Sequence, residues 1–282
     1  MLRFVADRVV AFDVEAIPRT QAGIILGELP RDSSEVEVFE SLWKAAGATA
    51  ENPQPFLYTH LVRVCSVSAV VRERVEGEVK LRLVSFPRDP ANEVFRSETS
   101  ILKGFFSLLE TPRPQLVGYN SRGYELPLLI RSGLALKLRL PQMFSRAMRR
   151  DGSVDYLDPF VDWHLDLMNL ISPFGVKPPS LNDMARVCGI PGKIDVSGAD
   201  VAQMWLEGKF SDIVNYNEYD ALTTYLLWLR FPLLSGLWTR EEFEREEALV
   251  RTLLRESIAS GKTHLQKFSD IWADYDGFLF AR

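Results

Sequence analysis

Three short motifs in the sequence combine carboxylates with other polar side chains. The first consists of Asp13 and Glu15, which end an apolar run that is typical of a buried β-strand. Successive side chains alternate between the two faces of a strand, so Asp13 and Glu15 are expected on the same face. In a chain with 38 acidic residues one such pair is weak evidence by itself, since a strand end that faces solvent would look the same.

The second motif runs from Asn120 to Glu125. Asn120 ends a short apolar run, Glu125 opens the next predicted helix, and Arg122 and Tyr124 lie between them. The positive end of a helix dipole attracts an anion, so a simple charge–dipole pair is the competing explanation for Glu125.

The third motif pairs Tyr216 with Asp220 inside a long predicted helix. Residues four apart lie on the same helical face, so the hydroxyl and the carboxylate are expected side by side. A tyrosine packed on the core beside a solvated aspartate would show the same spacing.

The elements that must position these motifs alternate between strands and helices along the chain. We predict strands at residues 4–14, 57–73, 79–87, 115–119 and 164–168, and helices at residues 33–48, 97–110, 124–134, 180–189, 198–207, 210–230 and 239–260. The interpretation is a single α/β domain over residues 1–260, with a helical insertion near residues 30–56 and a helical C-terminal third. Residues 261–282 are interpreted as a C-terminal extension.

Composition restricts the class of protein. The net charge of −5 argues against a protein that coats nucleic acid by bulk electrostatics. The two cysteines, Cys65 and Cys188, lie far apart and match neither a disulfide scaffold nor a zinc-finger spacing. The chain shows neither a signal peptide nor an 18-residue apolar stretch. We therefore expect a cytoplasmic protein without a membrane partner.

In order and context, the three motifs resemble those of the DEDD (DnaQ-like) 3′–5′ exonuclease superfamily. Segments between the motifs are similar to its predicted PolB-like 3′–5′ exonuclease branch, and they lie at residues 164–168, 180–185, 189–193, 196–201 and 225–231. The resemblance covers about residues 5–255 and includes no polymerase portion. It implies a ribonuclease H-like fold, a mixed five-stranded sheet flanked by helices. The first three strands would form an antiparallel meander, and the next two would run parallel to the first.

The resemblance also implies a two-metal-ion site. Two Mg²⁺ or Mn²⁺ ions about 3.5–4 Å apart require several converging oxygen ligands. On the family pattern the metal ligands are Asp13, Glu15, Glu125 and Asp220, with Asp13 bridging the ions and Glu125 on the leaving-group side. Tyr216 would orient or deprotonate the attacking water, and orientation is favoured because tyrosine is a poor base. Asn120, Arg122 and Tyr124 are expected to bind substrate.

The implied function is metal-dependent 3′–5′ cleavage at nucleic-acid 3′ ends, with single-stranded DNA favoured, RNA as a second candidate, and a repair or replication protein as a further partner. The sequence departs from the family at Glu125, where aspartate is usual. Three interpretations stay open: an active enzyme with an adjusted metal site, a weakened enzyme, or a catalytically inactive nucleic-acid-binding module. A protein-interaction subunit that docks through the helix at residues 239–260 is a further alternative.

A basic segment at residues 131–150 follows the second motif. It contains no acidic residue, and its cations are Arg131, Lys137, Arg139, Arg146, Arg149 and Arg150. The segment is interpreted either as a contact to substrate phosphates or as a solvated face. The stretch that ends at Lys193 is interpreted as a turn between helices, and Asp166 as a core or supporting carboxylate.

Overall fold

A five-stranded mixed sheet forms the centre of the computed structural model, which describes residues 2–110, 112–144, 154–173, 176–194 and 198–279. The strands are β1 (Arg8–Pro18), β2 (Val62–Val75), β3 (Glu78–Phe86), β4 (Gln115–Gly118) and β5 (His164–Asp166). Their order across the sheet is β3-β2-β1-β4-β5. The first three strands are antiparallel, and β4 and β5 run parallel to β1. These directions confirm the ribonuclease H-like fold.

Helices cover both faces of this sheet. In chain order they are α1 (Thr20–Leu26), α2 (Glu35–Ala45), α3 (Glu93–Arg96), α4 (Glu98–Ser107), α5 (Glu125–Ala135), α6 (Pro141–Phe144), α7 (Leu167–Ile171), α8 (Leu181–Val187), α9 (Val201–Leu206), α10 (Phe210–Leu234), α11 (Arg240–Ala259) and α12 (Leu265–Leu279). Every predicted helix is present within a few residues. In the predicted insertion near residues 30–56, only α2 is helical, and the chain after it is a loop.

The central strand β1 separates two hydrophobic cores. Val10, Phe12 and Val14 pack into one core, whereas Val9 and Ala11 pack into the other. This alternation follows the period of two that the pleat imposes. The strand lies about four residues later than predicted and continues through a β-bulge, where the pairing with β2 shifts between Glu15 and Ala16. A bulge bends the strand and increases its twist, as is common beside active sites.

The longest helix, α10, packs along β1 and β2, and most of its residues are buried. The two helices that follow it extend the second core, with Leu265, Phe268 and Trp272 of α12 completely buried. The domain boundary near residue 260 stays a prediction, but the chain beyond it contributes to the core. Within the described ranges, no helix combines the length and the apolarity that crossing a membrane requires.

Candidate active site

Three of the predicted carboxylates converge. One carboxylate oxygen each from Asp13, Glu15 and Asp220 lies within 4.8 Å of the other two. Asp13 and Glu15 project from the same face of β1 as Val9 and Ala11, and α10 packs on that face. The alternation along the strand and the position of the helix therefore bring together carboxylates that are far apart in the sequence.

Two polar side chains that the sequence analysis did not identify hold Asp13 in place. The Asn217 amide donates a hydrogen bond from Nδ2 to Asp13 Oδ2 at 2.7 Å. The hydroxyl of Ser66, on the neighbouring strand β2, donates in turn to Asn217 Oδ1 at 3.0 Å. Both Asn217 and Ser66 are completely buried, so this chain of hydrogen bonds fixes the orientation of the Asp13 carboxylate.

The pairing of Tyr216 with Asp220 is present as the i,i+4 spacing predicts. The Tyr216 hydroxyl donates a hydrogen bond to Asp220, which offsets part of the rise that burial causes in the pKa of that carboxyl. Burial, followed by the negative charge of Asp220, raises the pKa of Tyr216 far above its usual value. Tyr216 is therefore a protonated hydrogen-bond donor, in agreement with an orienting role.

Glu125 opens helix α5 as predicted, and it is buried. It does not belong to the group formed by the other three carboxylates. Burial raises the pKa of Glu125, and the nearby charge of Asp13 raises it further. Within the described part of the chain, no hydrogen-bond partner reaches Glu125 Oε2 or Asp220 Oδ1, although both atoms are shielded from water. Buried polar atoms without hydrogen-bond partners are rare, so these two oxygens are candidate ligand atoms for a bound ion.

The electrostatics of the site favour positive charge. Burial and then the Asp220 carboxylate raise the pKa of Asp13 to about 8. Burial also raises the pKa of Asp220, to about 6, and moves the pKa of Glu15 well above its usual value. Carboxylates that share a dry site cannot all ionise without a compensating cation.

One such cation comes from Lys193, which the sequence analysis assigned to a turn. That turn is present, with Gly192 at a φ of 69° and the Lys193 amide donating to Asn182 Oδ1 at 3.0 Å. The Lys193 ammonium lies 5.7 Å from the centre of the Tyr216 ring. Its positive charge offsets part of the rise that burial causes in the pKa values of Asp13, Glu15 and Asp220. Only the turn was visible in the sequence, because the packing against α10 is long-range.

The loop between β4 and α5 is held by Asp166, which confirms the expected supporting role of that carboxylate. Asp166 accepts hydrogen bonds from the backbone amides of Asn120 and Arg122 at 2.9 Å each. Asn120 has a φ of 59°, a left-handed conformation that asparagine tolerates better than most residues. The Arg122 guanidinium donates to the backbone carbonyl of His164 at 2.7 Å, so it ties the loop to β5. Substrate contacts from Asn120 and Arg122 stay predictions.

Tyr124 is half-buried beside the carboxylates. After burial, the charges of Glu15 and Glu125 raise the pKa of Tyr124 above its usual value. Its ring contacts Phe56, with the ring centres 5.9 Å apart. The predicted contact between Tyr124 and substrate is not tested by these interactions.

The basic segment and the buried His164 follow the loop in sequence. Arg131, Lys137 and Arg139 of the basic segment are exposed, whereas Arg146, Arg149 and Arg150 lie outside the described residues, as do residues 195–197. His164 is buried and bonded to the Ser121 hydroxyl at 2.8 Å, and burial lowers its pKa to about 3. In the described ranges it belongs to no group of three candidate metal ligands.

The residues present fit divalent metal ions. Mg²⁺ and Mn²⁺ prefer oxygen ligands, and the site offers several converging carboxylates. Asp220 and the neighbouring Glu125 each present a shielded oxygen that has no hydrogen-bond partner among the described residues. Asp13, Glu15 and Asp220 are suited to hold metal together, and Glu125 is suited to extend the site on the α5 side.

The sheet topology and the carboxylate cluster define a ribonuclease H-like domain with an acidic site on its central strand. Residues 54–272 match the model of a family described as predicted 3′–5′ exonucleases related to the exonuclease domain of PolB. The protein belongs to this family.

A solved structure with partial similarity is the family B DNA polymerase from the hyperthermophilic archaeon Pyrobaculum calidifontis, at 17% sequence identity and a TM-score of 0.45. The alignment covers 79% of this chain and 25% of the polymerase, so the chain spans about a quarter of that protein's length. No curated protein matches the chain.

Proposed function

We propose that this protein is a metal-dependent 3′–5′ exonuclease that hydrolyses phosphodiester bonds at nucleic-acid 3′ ends, with single-stranded DNA as the favoured substrate. The observation that carries the proposal is the convergence of Asp13, Glu15 and Asp220 within 4.8 Å. Membership of the PolB-related family supports the same reaction.

In this proposal the carboxylates hold the metal ions on the two sides of the scissile bond. Asp13, which Asn217 orients, would hold metal together with Glu15 and Asp220, and the latter two would serve the side of the attacking water. Glu125 would hold metal on the side of the leaving 3′ oxygen. Bound Mg²⁺ or Mn²⁺ would acidify the attacking water and stabilise the charge that develops on the phosphate.

Two further groups act on the water and the phosphate. The protonated Tyr216 hydroxyl holds Asp220 and orients the water, because its raised pKa makes it a donor rather than a base. The Lys193 ammonium adds a fixed positive charge for the phosphate. A repair or replication protein partner and a cytoplasmic location stay predictions.

A second candidate is a nucleic-acid-binding module without activity. Glu125 favours it, because its carboxylate lies outside the group formed by the other three acids. In that case nucleic acid would bind at the same site and no bond would be cleaved.

Digestion of 5′-labelled DNA and RNA oligomers, with and without millimolar Mn²⁺ or Mg²⁺, tests the proposal. We expect a ladder that shortens from the 3′ end only with metal, and no product from Asp13→Asn. The matched control is Asp212→Asn, an exposed acid on the same helix as Asp220, which should cleave like the wild type. Binding without any cleavage under all metal conditions would reject the enzyme in favour of the binding module.

A further inference from the structure

A row of aromatic rings leads away from the candidate active site over the surface. It consists of Tyr124, Phe56, Tyr58 and His60, and we call it the aromatic row. Successive ring centres lie 5.9, 6.5 and 6.1 Å apart, so each ring contacts the next. The row begins at Tyr124, whose neighbour in sequence is Glu125 of the proposed metal site.

The outer rings of the row are open to solvent. Phe56 and Tyr58 are each 71% exposed, and His60 is exposed as well. The alternating residues Leu57 and Thr59 point inward and are buried. The two buried side chains therefore anchor the segment to the domain, and the three rings of Phe56, Tyr58 and His60 face solvent. Large aromatic side chains in water are costly to leave uncovered, and contiguous exposure of this kind marks a binding surface.

A cavity of about 280 Å³ adjoins the inner end of the row. Phe56 and Tyr124 line it from the row, and Trp43 and Ala16 line other sides. Tyr124 connects the cavity to the site, because it is close enough for the charges of Glu15 and Glu125 to raise its pKa after burial. Its lining is largely apolar and aromatic, which suits a planar heterocycle better than a phosphate. Residues 55–61 also contain no acidic side chain that would repel a phosphate backbone.

We propose that the aromatic row binds the unpaired bases at the 3′ end of a single nucleic-acid strand, with the terminal base in the adjoining cavity. Sequence-tolerant binding of single strands typically uses aromatic side chains on which successive bases stack. Bases in a duplex are already stacked and paired, so they cannot stack on these rings. This inference rests on the proposed exonuclease function and adds to it a surface that binds the strand outside the metal site.

Binding of a 5′-fluorescein-labelled oligothymidylate to the full chain, measured by anisotropy in EDTA so that nothing is cleaved, tests the row. Phe56→Ala and Tyr58→Ala should each weaken binding about tenfold, since loss of one stacked base is of that order. Tyr58→Phe keeps the ring and should bind like the wild type. Because both side chains are exposed, neither substitution removes core packing, and melting temperatures check that the variants are folded.

A matched control is Leu234→Ala, which removes an 81% exposed apolar side chain from the far end of α10. At ~1.5 Å per residue, Leu234 lies about 21 Å along the helix from Asp220, and its loss should leave binding unchanged. If Phe56→Ala and Tyr58→Ala also bind like the wild type, the aromatic row is not a nucleic-acid site and the inference is overturned.

A strand whose four 3′-terminal nucleotides are abasic separates base stacking from phosphate contact. The wild type should bind this strand at least tenfold more weakly than the intact one, whereas the Phe56→Ala/Tyr58→Ala double variant should hardly distinguish the two. If the abasic end weakens binding by the same factor in the wild type and in the double variant, the rings do not contact the bases and the proposal is rejected.

Mn²⁺-dependent cleavage of the strand with four abasic 3′-terminal nucleotides keeps this inference distinct from the proposed function. The abasic end offers no base to the rings, so the double variant should lose at least tenfold more activity on the intact oligonucleotide than on the abasic strand. A wild type that cleaves neither substrate contradicts the exonuclease, while the binding measurements still decide the role of the aromatic row.

Discussion

At the scale of single residues, Glu125 is where the proposed exonuclease and the alternative binding module lead to different expectations. Its side chain is one methylene longer than the aspartate that the family resemblance implies, yet it is buried, it opens α5, and its Oε2 atom has no hydrogen-bond partner among the described residues. Its carboxylate is close enough to interact with the charge of Asp13, so an adjusted metal site is compatible with the structure.

We expect Glu125→Asp to keep or raise the cleavage rate and Glu125→Gln to lower it more than tenfold. Glutamine keeps the size of the side chain but removes the charge, and a lost metal ligand should cost more than the ~1.4 kcal/mol that a factor of ten represents. Single-turnover rates across a Mn²⁺ titration measure both variants.

The other outcomes have definite meanings. A wild type that is inactive but becomes active as Glu125→Asp is a degenerate exonuclease, and the binding module is then the better function. Unchanged rates in both variants would place Glu125 outside the metal site.

At the scale of secondary structure elements, a buried ion pair joins the sheet to the C-terminal helices. Arg72 of β2 is 1% exposed, and its guanidinium donates three hydrogen bonds to Glu246 of α11, the shortest at 2.5 Å. A second buried pair, Arg19 with Glu98, links the end of β1 to α4. Such pairs contribute little net stability when intact but are costly to break, because the remaining charge stays buried.

Glu246→Ala is therefore expected to lower the free energy of unfolding by about 3–5 kcal/mol, since it leaves the buried Arg72 charge without its partner. Urea denaturation measures the change. Glu244→Ala removes an exposed acid two residues earlier on α11 and should stay within about 0.5 kcal/mol of the wild type. Equal stability of the two variants would mean that water replaces Glu246 around Arg72.

At the scale of the whole molecule, the carboxylate cluster couples folding to pH and metal. In the metal-free protein the pKa of Asp13 is raised to about 8 and that of Asp220 to about 6, whereas an unfolded aspartate titrates near ~3.9. The folded state thus binds more protons than the unfolded state between about pH 4 and pH 8. Stability of the metal-free protein should fall as the pH rises through that range.

Divalent metal should reverse this trend, because it binds the ionised carboxylates. We expect millimolar Mn²⁺ to raise the melting temperature more at pH 8 than at pH 5, relative to EDTA at the same pH. Asp13→Asn should reduce the difference between the two pH values, since it removes the most perturbed aspartate. An identical Mn²⁺ shift at both pH values, or in both proteins, would show that the metal binds elsewhere.

The sequence by itself determined the elements and the faces on which the acids lie. The period of two along β1 put Asp13 and Glu15 on one face, and the i,i+4 spacing paired Tyr216 with Asp220. Local periodicity encodes these two features, so a single sequence is sufficient to read them. The five-stranded mixed sheet and its strand directions followed instead from the family resemblance.

Only the tertiary structure decided which distant residues meet. Asn217 reaches Asp13 and Ser66 because α10 lies across β1 and β2, and Lys193 joins the site because its turn packs on the same helix. The exposure of Phe56 and Tyr58 likewise depends on the buried anchors beside them. Such contacts join positions more than 150 residues apart in the case of Ser66 and Asn217. No local pattern specifies them, because they arise from the packing of all elements around two shared cores.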